Sequence, residues 1–253
     1  MDNPYRLDGK VAVVTGGGKG IGRGIALCLA HAGADVVVAA RTTADVESVA
    51  AEIQALGRKA QAVTVDVTVP EQLELLLSAA DELGGLDIWV NNAGGLPDAT
   101  PRYLTKTPDD RWDAQLDLNL KAVSQGCTIA ARHMQQSDGN GVIINISSTS
   151  ARGANFKNGP YGASKAAVNS ITQSLALEVA PKIRVNAVAP GPIPTDNFNE
   201  STNFPEGKPV EDIIGIPLRR MGTPEDIGHA VVYFASDAAS WITGQCLYVC
   251  GGT

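Results

Sequence analysis

Short apolar runs rich in β-branched residues alternate with helical stretches from one end of this chain to the other. Residues 11–15, 36–40, 60–67, 86–90, 141–147, 183–189 and 245–249 read as strands. Between them, residues 20–33, 44–56, 70–83, 109–118, 122–136, 161–179 and 224–236 carry helical periodicity, several ending at glycine. Strands separated by helices pair in parallel through right-handed crossovers, with helices on both faces of the sheet. The solid apolar character of Val11–Val14 and Val36–Val38 fits strands covered on both sides. The expectation is an α/β chain: one doubly wound Rossmann-type domain over residues 1–253, with about seven parallel strands. Residues 190–217 break the alternation, being rich in Pro, Gly and Asn, and are expected to form a substrate lid.

Composition excludes several functions. The 20 basic residues against 27 acidic ones give a net charge of −7, with no Lys/Arg block, so neither nucleic acid nor an anionic membrane is an expected partner. No apolar run approaches the roughly 20 residues of a membrane span. The start of the chain lacks the basic-then-apolar order of a signal peptide, which reads as cytoplasmic. Four cysteines are too few for a disulfide scaffold. Cys246 and Cys250 would lie about 13 Å apart on a strand, too far to bond. His31, His133 and His229 lack ligand spacing, so no metal is expected.

Between the first strand and first helix lies Thr15-Gly16-Gly17-Gly18-Lys19-Gly20-Ile21-Gly22. Its spacing, G-x-x-x-G-x-G, is neither GxGxxG nor a Walker A loop. Glycines here permit a tight turn and close approach of a pyrophosphate to a helix N-terminus. On these residues the chain resembles the short-chain dehydrogenase/reductase family, whose TGxxxGxG motif this is. Asn91-Asn92-Ala93-Gly94 matches the family's NNAG motif, and Tyr161 and Lys165 its YxxxK pair. Ser148, thirteen residues before Tyr161, stands at the serine position. Asn119 in LDLNL matches the active-site asparagine, and Pro190-Gly191 with Thr195 the PGxxxT segment. The resemblance covers essentially the whole chain. Within the family it is similar to bacterial hydroxysteroid dehydrogenases and 3-oxoacyl-carrier-protein reductases. Cys250 departs from the Asp that many relatives carry there.

The resemblance implies interconversion of a carbonyl and a secondary alcohol by hydride transfer. Tyr161 would be the general acid/base, Lys165 would lower its pKa and hold the nicotinamide ribose, and Ser148 would bond the substrate oxygen. Asn119 would support a water-linked relay to Lys165. Residue spacing alone permits the Tyr161–Lys165 interaction, since i and i+4 share a helix face. The implied cofactor contacts are Gly16, Gly18, Lys19, Gly20, Ile21, Gly22, Asp66, Val67, Asn92, Ala93, Gly94, Tyr161, Lys165, Pro190, Gly191, Ile193 and Thr195. For Asp66 a structural cap is the competing role. NAD(H) would call for an acid at the end of the second strand, where Ala40 stands. Arg41, Thr42 and Lys19 suit a 2′-phosphate instead, so NADP(H) is expected over NAD(H). Phe198, Phe204, Ile213 and Ile214 would give the lid an apolar lining. The family commonly forms homotetramers through its fourth and fifth long helices, here 122–136 and 161–179. The competing function is a non-catalytic NADPH-binding sensor or scaffold.

Overall fold

The computed structural model describes residues 3–137, 140–195, 198 and 209–253. Seven parallel strands form one sheet: β1 (Val11–Thr15), β2 (Asp35–Ala40), β3 (Ala60–Thr64), β4 (Ile88–Asn91), β5 (Gly141–Ile146), β6 (Ile183–Pro190) and β7 (Cys246–Val249). Their spatial order is β3-β2-β1-β4-β5-β6-β7. The order reverses between β1 and β4, both of which leave Val14 paired, with Val38 on one side and Val90 on the other. A ligand cleft at the carboxyl ends of the strands is expected at this reversal.

Alternate strand residues feed opposite cores. Ala12, Val14, Val36 and Val38 pack under α1 (Gly20–Ala32) and α2 (Thr43–Ala55), joined by Ile227 and Val231 of a helix near the end of the chain. Val11, Val13 and Val37 face the other way. They meet Leu73 and Leu76 of α3 (Pro70–Leu83), Val123 of α5 (Ala122–Gln136) and Val168 of α6 (Gly159–Val179). The sheet is therefore covered on both faces, which is why its strands are unbroken apolar runs. Among the described residues no helix is long and apolar enough to cross a membrane.

Helix ends follow local chemistry. Gly33 closes α1 at φ 114°, in the left-handed region that suits glycine. The late helix, α8 (Pro224–Ala235), opens on a capping box in which Thr223 and Asp226 satisfy each other's backbone N–H. Several elements differ from the sequence reading. β3 stops at Thr64, because the Asp66 carboxylate accepts from the N–H and hydroxyl of Thr68 and turns the chain. α4 (Asp109–Leu116) runs through a π-helical turn, Asp117–Lys121, straight into α5. α6 begins two residues early, where Pro160 fits a first helical turn. The expected lid contains a short helix, α7 (Val210–Ile214), with Ile213 and Ile214 on it. Residues 196–197 and 199–208, including Phe204, lie outside the described residues.

Candidate active site

The reversal point holds a cleft of about 710 Å³. Its floor is the glycine turn. Thr15 and Asn92 join the ends of β1 and β4: Asn92 Nδ2 donates to the carbonyls of Thr15 (2.9 Å) and Gly16 (3.1 Å). Thr15 Oγ1 accepts from the N–H of Asn92 and of Ala93 and donates to Val90 O. Gly16 has φ 64°, and a β-carbon on Gly22 would collide with the Gly16 carbonyl oxygen. The turn is thus pressed against the first helix, with backbone rather than side chains facing the cleft.

Gly16, Gly18, Lys19, Gly20, Ile21 and Gly22 line one side. Arg41, Thr42, Asp66 and Val67 line the corner beyond β2 and β3, and Asn92, Ala93 and Gly94 the middle. Pro190, Gly191, Ile193 and Thr195 close the far edge, and Ser148, Tyr161 and Lys165 form the opposite wall. The structure therefore brings all of these sequence candidates to one cleft. Asn119 sits behind it, fully buried.

The wall is built by ties between β5 and α6. Lys165 Nζ donates to Ile146 O at 2.9 Å, and Ser147 Oγ donates to the Lys165 carbonyl at 3.2 Å. Deeper in, Asn145 Nδ2 donates to Thr172 Oγ1 at 2.9 Å, seven residues along the same helix from Lys165. Asn91 extends this chain, donating to Asn145 Oδ1 at 2.9 Å and accepting from Trp89 Nε1 at 2.7 Å. The first Asn of Asn91-Asn92 thus braces strands, while the second shapes the cofactor floor.

Burial controls the titration of the wall. It pushes Lys165 down to about 8 and raises the Tyr161 phenol, with the Ser148 hydroxyl beside the phenol opposing that rise. The net direction at Tyr161 differs from the lowering by Lys165 that the resemblance implies. The physical cause is burial of the phenol, while the Lys165 ammonium donates to Ile146 O and stands 5.9 Å from the Tyr161 ring centre. Asn119, which the resemblance places in support of a relay, is held by its own side-chain bonds. Its Oδ1 accepts from Gly95 N–H (2.9 Å), and its Nδ2 donates to Gly95 O (2.8 Å) and Gln115 O (3.2 Å). Both ends of this amide brace the loop after β4, leaving no free N–H for a relay through the side chain.

Gly94 lies over both groups. A β-carbon there would stand 2.8 Å from Asn119 Oδ1 and 3.2 Å from Lys165 Nζ. Gly94→Ala should overpack the wall, destabilise the fold by about 1–3 kcal/mol and lower turnover, read by thermal melts and kcat. Asp66 serves its local turn: its two bonds from Thr68 hold its carboxyl below the usual carboxylate range, with Arg41 adding to the effect.

The sequence reading missed Asp45. It lies in the first turn of α2, lines the same corner as Arg41, and packs against Gly18. Only the tertiary approach of α2 to the glycine turn reveals it. All four cysteines are free thiols. Among the described residues no group of three His, Cys, Asp or Glu side chains could hold a metal ion.

Comparison with known proteins decides what this geometry belongs to. A family model described as enoyl-(acyl carrier protein) reductase matches residues 16–253. Over 251 residues the chain is 39% identical to 7α-hydroxysteroid dehydrogenase of Escherichia coli (strain K12), covering 98% of this chain and 95% of that one. The chain belongs to the short-chain dehydrogenase/reductase family. It is also 35% identical over 249 residues to a 3-oxoacyl-[acyl-carrier-protein] reductase of Thermotoga maritima, covering 98% of each chain. A solved structure of 7α-hydroxysteroid dehydrogenase, complexed with NADH and 7-oxo glycochenodeoxycholic acid, superposes with a TM-score of 0.91 at 39% identity. That match covers 100% of this chain and 98% of the other. This chain is accordingly an oxidoreductase acting on alcohol and carbonyl groups, and a sensor without turnover is not favoured.

Proposed function

We propose that this oxidoreductase interconverts a carbonyl and a secondary alcohol with NADP(H), using Tyr161 as general acid/base. The observation that carries the reading is the convergence of Ser148, Tyr161 and Lys165 on the cleft wall opposite the glycine turn. A dinucleotide fits the cleft: the turn offers backbone N–H groups and the N-terminus of α1, and Gly22, where a β-carbon would strike the Gly16 carbonyl oxygen, lets the turn lie against that helix. When bound, the nicotinamide supplies the hydride. Tyr161, its phenol raised by burial, stays protonated at neutral pH and donates to the carbonyl oxygen as charge develops there. Ser148 holds that oxygen beside the phenol. Lys165, at about 8, is mostly charged at neutral pH, holds the ribose hydroxyls and stabilises phenolate in the reverse direction. Asn119 positions the Gly94–Gly95 turn, and its contribution to the relay is structural.

NADP(H) is supported by Arg41 and Lys19 in the corner where a 2′-phosphate would lie, with Ala40 in place of an acid. Asp45 stands in the same corner and opposes that preference, and the similar solved dehydrogenase carries NADH. Arg41→Ala separates the two cofactors: it should weaken NADPH at least tenfold, about 1.5–3 kcal/mol for a charge-assisted bond, and leave NADH within twofold. Binding titrations with both nucleotides read this; equal weakening removes the 2′-phosphate assignment. Turnover is tested with a panel of ketosteroids, diketones and 3-oxoacyl thioesters, followed by loss of NADPH absorbance. Tight NADPH binding with no substrate consumed would count against the reading.

Residues 190–217 are proposed as the lid of this cleft, within the one domain. A homotetramer built on α5 and α6 is supported by Leu177, which stands 83% exposed on α6. Four free thiols suit the reducing cytoplasm.

A further inference from the structure

Two cations follow the serine wall, and neither is explained by carbonyl chemistry. Arg152 lies over the Tyr248 ring at 4.7 Å, near Cys250. Lys157 lies between two rings. Its Nζ stands 4.9 Å from the Tyr103 ring centre and 5.3 Å from that of Phe156, and these two rings meet edge to face at 5.7 Å. Among the described residues no carboxylate pairs with Lys157. The nearby Asp98 is engaged by Arg111 at 3.0 Å and Arg102 at 3.9 Å.

The backbone fixes this arrangement. Lys157 has φ 61°, a left-handed conformation that costs a non-glycine residue energy and is informative when it persists. Its carbonyl accepts from Arg102 N–H at 2.9 Å, tying the loop after β5 to the loop after β4. Both loops rise from the carboxyl ends of the strands. Asn158, the next residue, lines the cleft, and Tyr161 follows four residues after Lys157 in the first turn of α6. Lys157 and Tyr161 are therefore joined by three residues of chain, the first of which lines the cleft. That first turn carries no acidic residue, so the positive end of α6 adds to the lysine's field. Apolar surface adjoins the lysine: Tyr103 is 50%, Leu104 59% and Phe156 78% exposed, and Leu104 packs against Gly159 at the start of α6.

A cation on aromatic faces with no carboxylate partner among the described residues, beside exposed apolar surface, in a protein of net charge −7, is a site for an amphipathic anion. We propose that the substrate is an amphipathic oxo acid. Its apolar body lies on Tyr103, Leu104 and Phe156, its carboxylate pairs with Lys157, and its carbonyl reaches Tyr161. The inference rests on the carbonyl-reductase reading of the cleft and adds the substrate's class to it.

The test compares medium-chain oxo acids with their methyl esters. The wild type should prefer the acid about tenfold in kcat/KM, through KM, and rising salt should shrink that margin. Lys157→Gln should abolish the margin, whereas Arg152→Gln should keep it. Equal use of acid and ester by the wild type overturns the proposal. So does a margin that survives Lys157→Gln, or one lost only in Arg152→Gln. A direct titration with a saturated medium-chain carboxylate stands apart from turnover. It should bind the wild type at least tenfold more tightly than Lys157→Gln. Equal affinities overturn the site even if no carbonyl is reduced, while tight binding without reduction instead counts against the reductase reading.

Discussion

Tyr161→Phe should lower kcat/KM for carbonyl reduction by about 10²–10⁴-fold, the usual worth of a positioned general acid. The substitution removes one oxygen and little volume. The ring remains half-buried against the same wall, so NADPH affinity should stay within twofold and the melting temperature should move little. The direction of the Tyr161 shift adds a pH signature. Burial favours the protonated phenol, with the Ser148 hydroxyl opposing it. Reduction needs that proton and should hold through neutral pH, failing only as alkali removes it. Alcohol oxidation needs phenolate and should rise as the solution becomes alkaline. In the Phe variant both limbs vanish together. Stopped-flow rates and equilibrium titrations on the same preparation separate the chemical loss from a binding loss. Unchanged turnover would remove Tyr161 from the chemistry and with it the proposed mechanism.

Much of this arrangement is legible in the sequence, for physical reasons. Strands buried on both faces have to be apolar throughout, so Val11–Val14 and Val36–Val38 announce themselves. Motif residues such as Gly16, Gly22 and Asn92 are dictated by backbone geometry: a left-handed turn, a collision, a carbonyl in need of a donor. What stayed hidden depends on approach between distant segments. The π turn around Asn119 has the same apolar spacing as an ordinary helix, so nothing in DLNLK shows the extra residue. Asp45 looks like a common first-turn acid until α2 is seen packed on Gly18. Asn145 interrupts an apolar strand, and only the fold shows Thr172 waiting for it at 2.9 Å. Spacing permits the Tyr161–Lys165 interaction but says nothing of where the ammonium turns. Residues i and i+4 do share a face, yet Lys165 found a nearer acceptor in Ile146 O.

Lys165→Met should produce an enzyme that is more stable at neutral pH and nearly inactive. The wild-type ammonium is buried, and its pKa falls from an ordinary 10.5 to about 8. The unfolded chain therefore binds more protons than the native one between those values. Stability rises with pH across that window, and the penalty is fully present below about pH 8. A shift of that size corresponds to roughly 3 kcal/mol at pH 7. Methionine fills a similar volume without a charge. It also strands the Ile146 carbonyl that Nζ now satisfies, which costs about 1–3 kcal/mol. The balance at pH 7 is a gain of up to about 2 kcal/mol, or a few degrees in melting temperature for a chain of this size. Near pH 10.5 the wild type no longer carries the penalty while the variant keeps its stranded carbonyl. The order of the two melting curves should therefore reverse. Turnover should fall by about 10²–10⁴-fold, and NADPH affinity should fall with it, because Lys165 is assigned to the ribose as well as to Tyr161. That second loss distinguishes it from Tyr161→Phe. Melting curves that keep the same order at both pH values would mean that burial does not depress Lys165. The site would then tolerate a permanent charge, and the strain assigned to this lysine would have to be sought elsewhere.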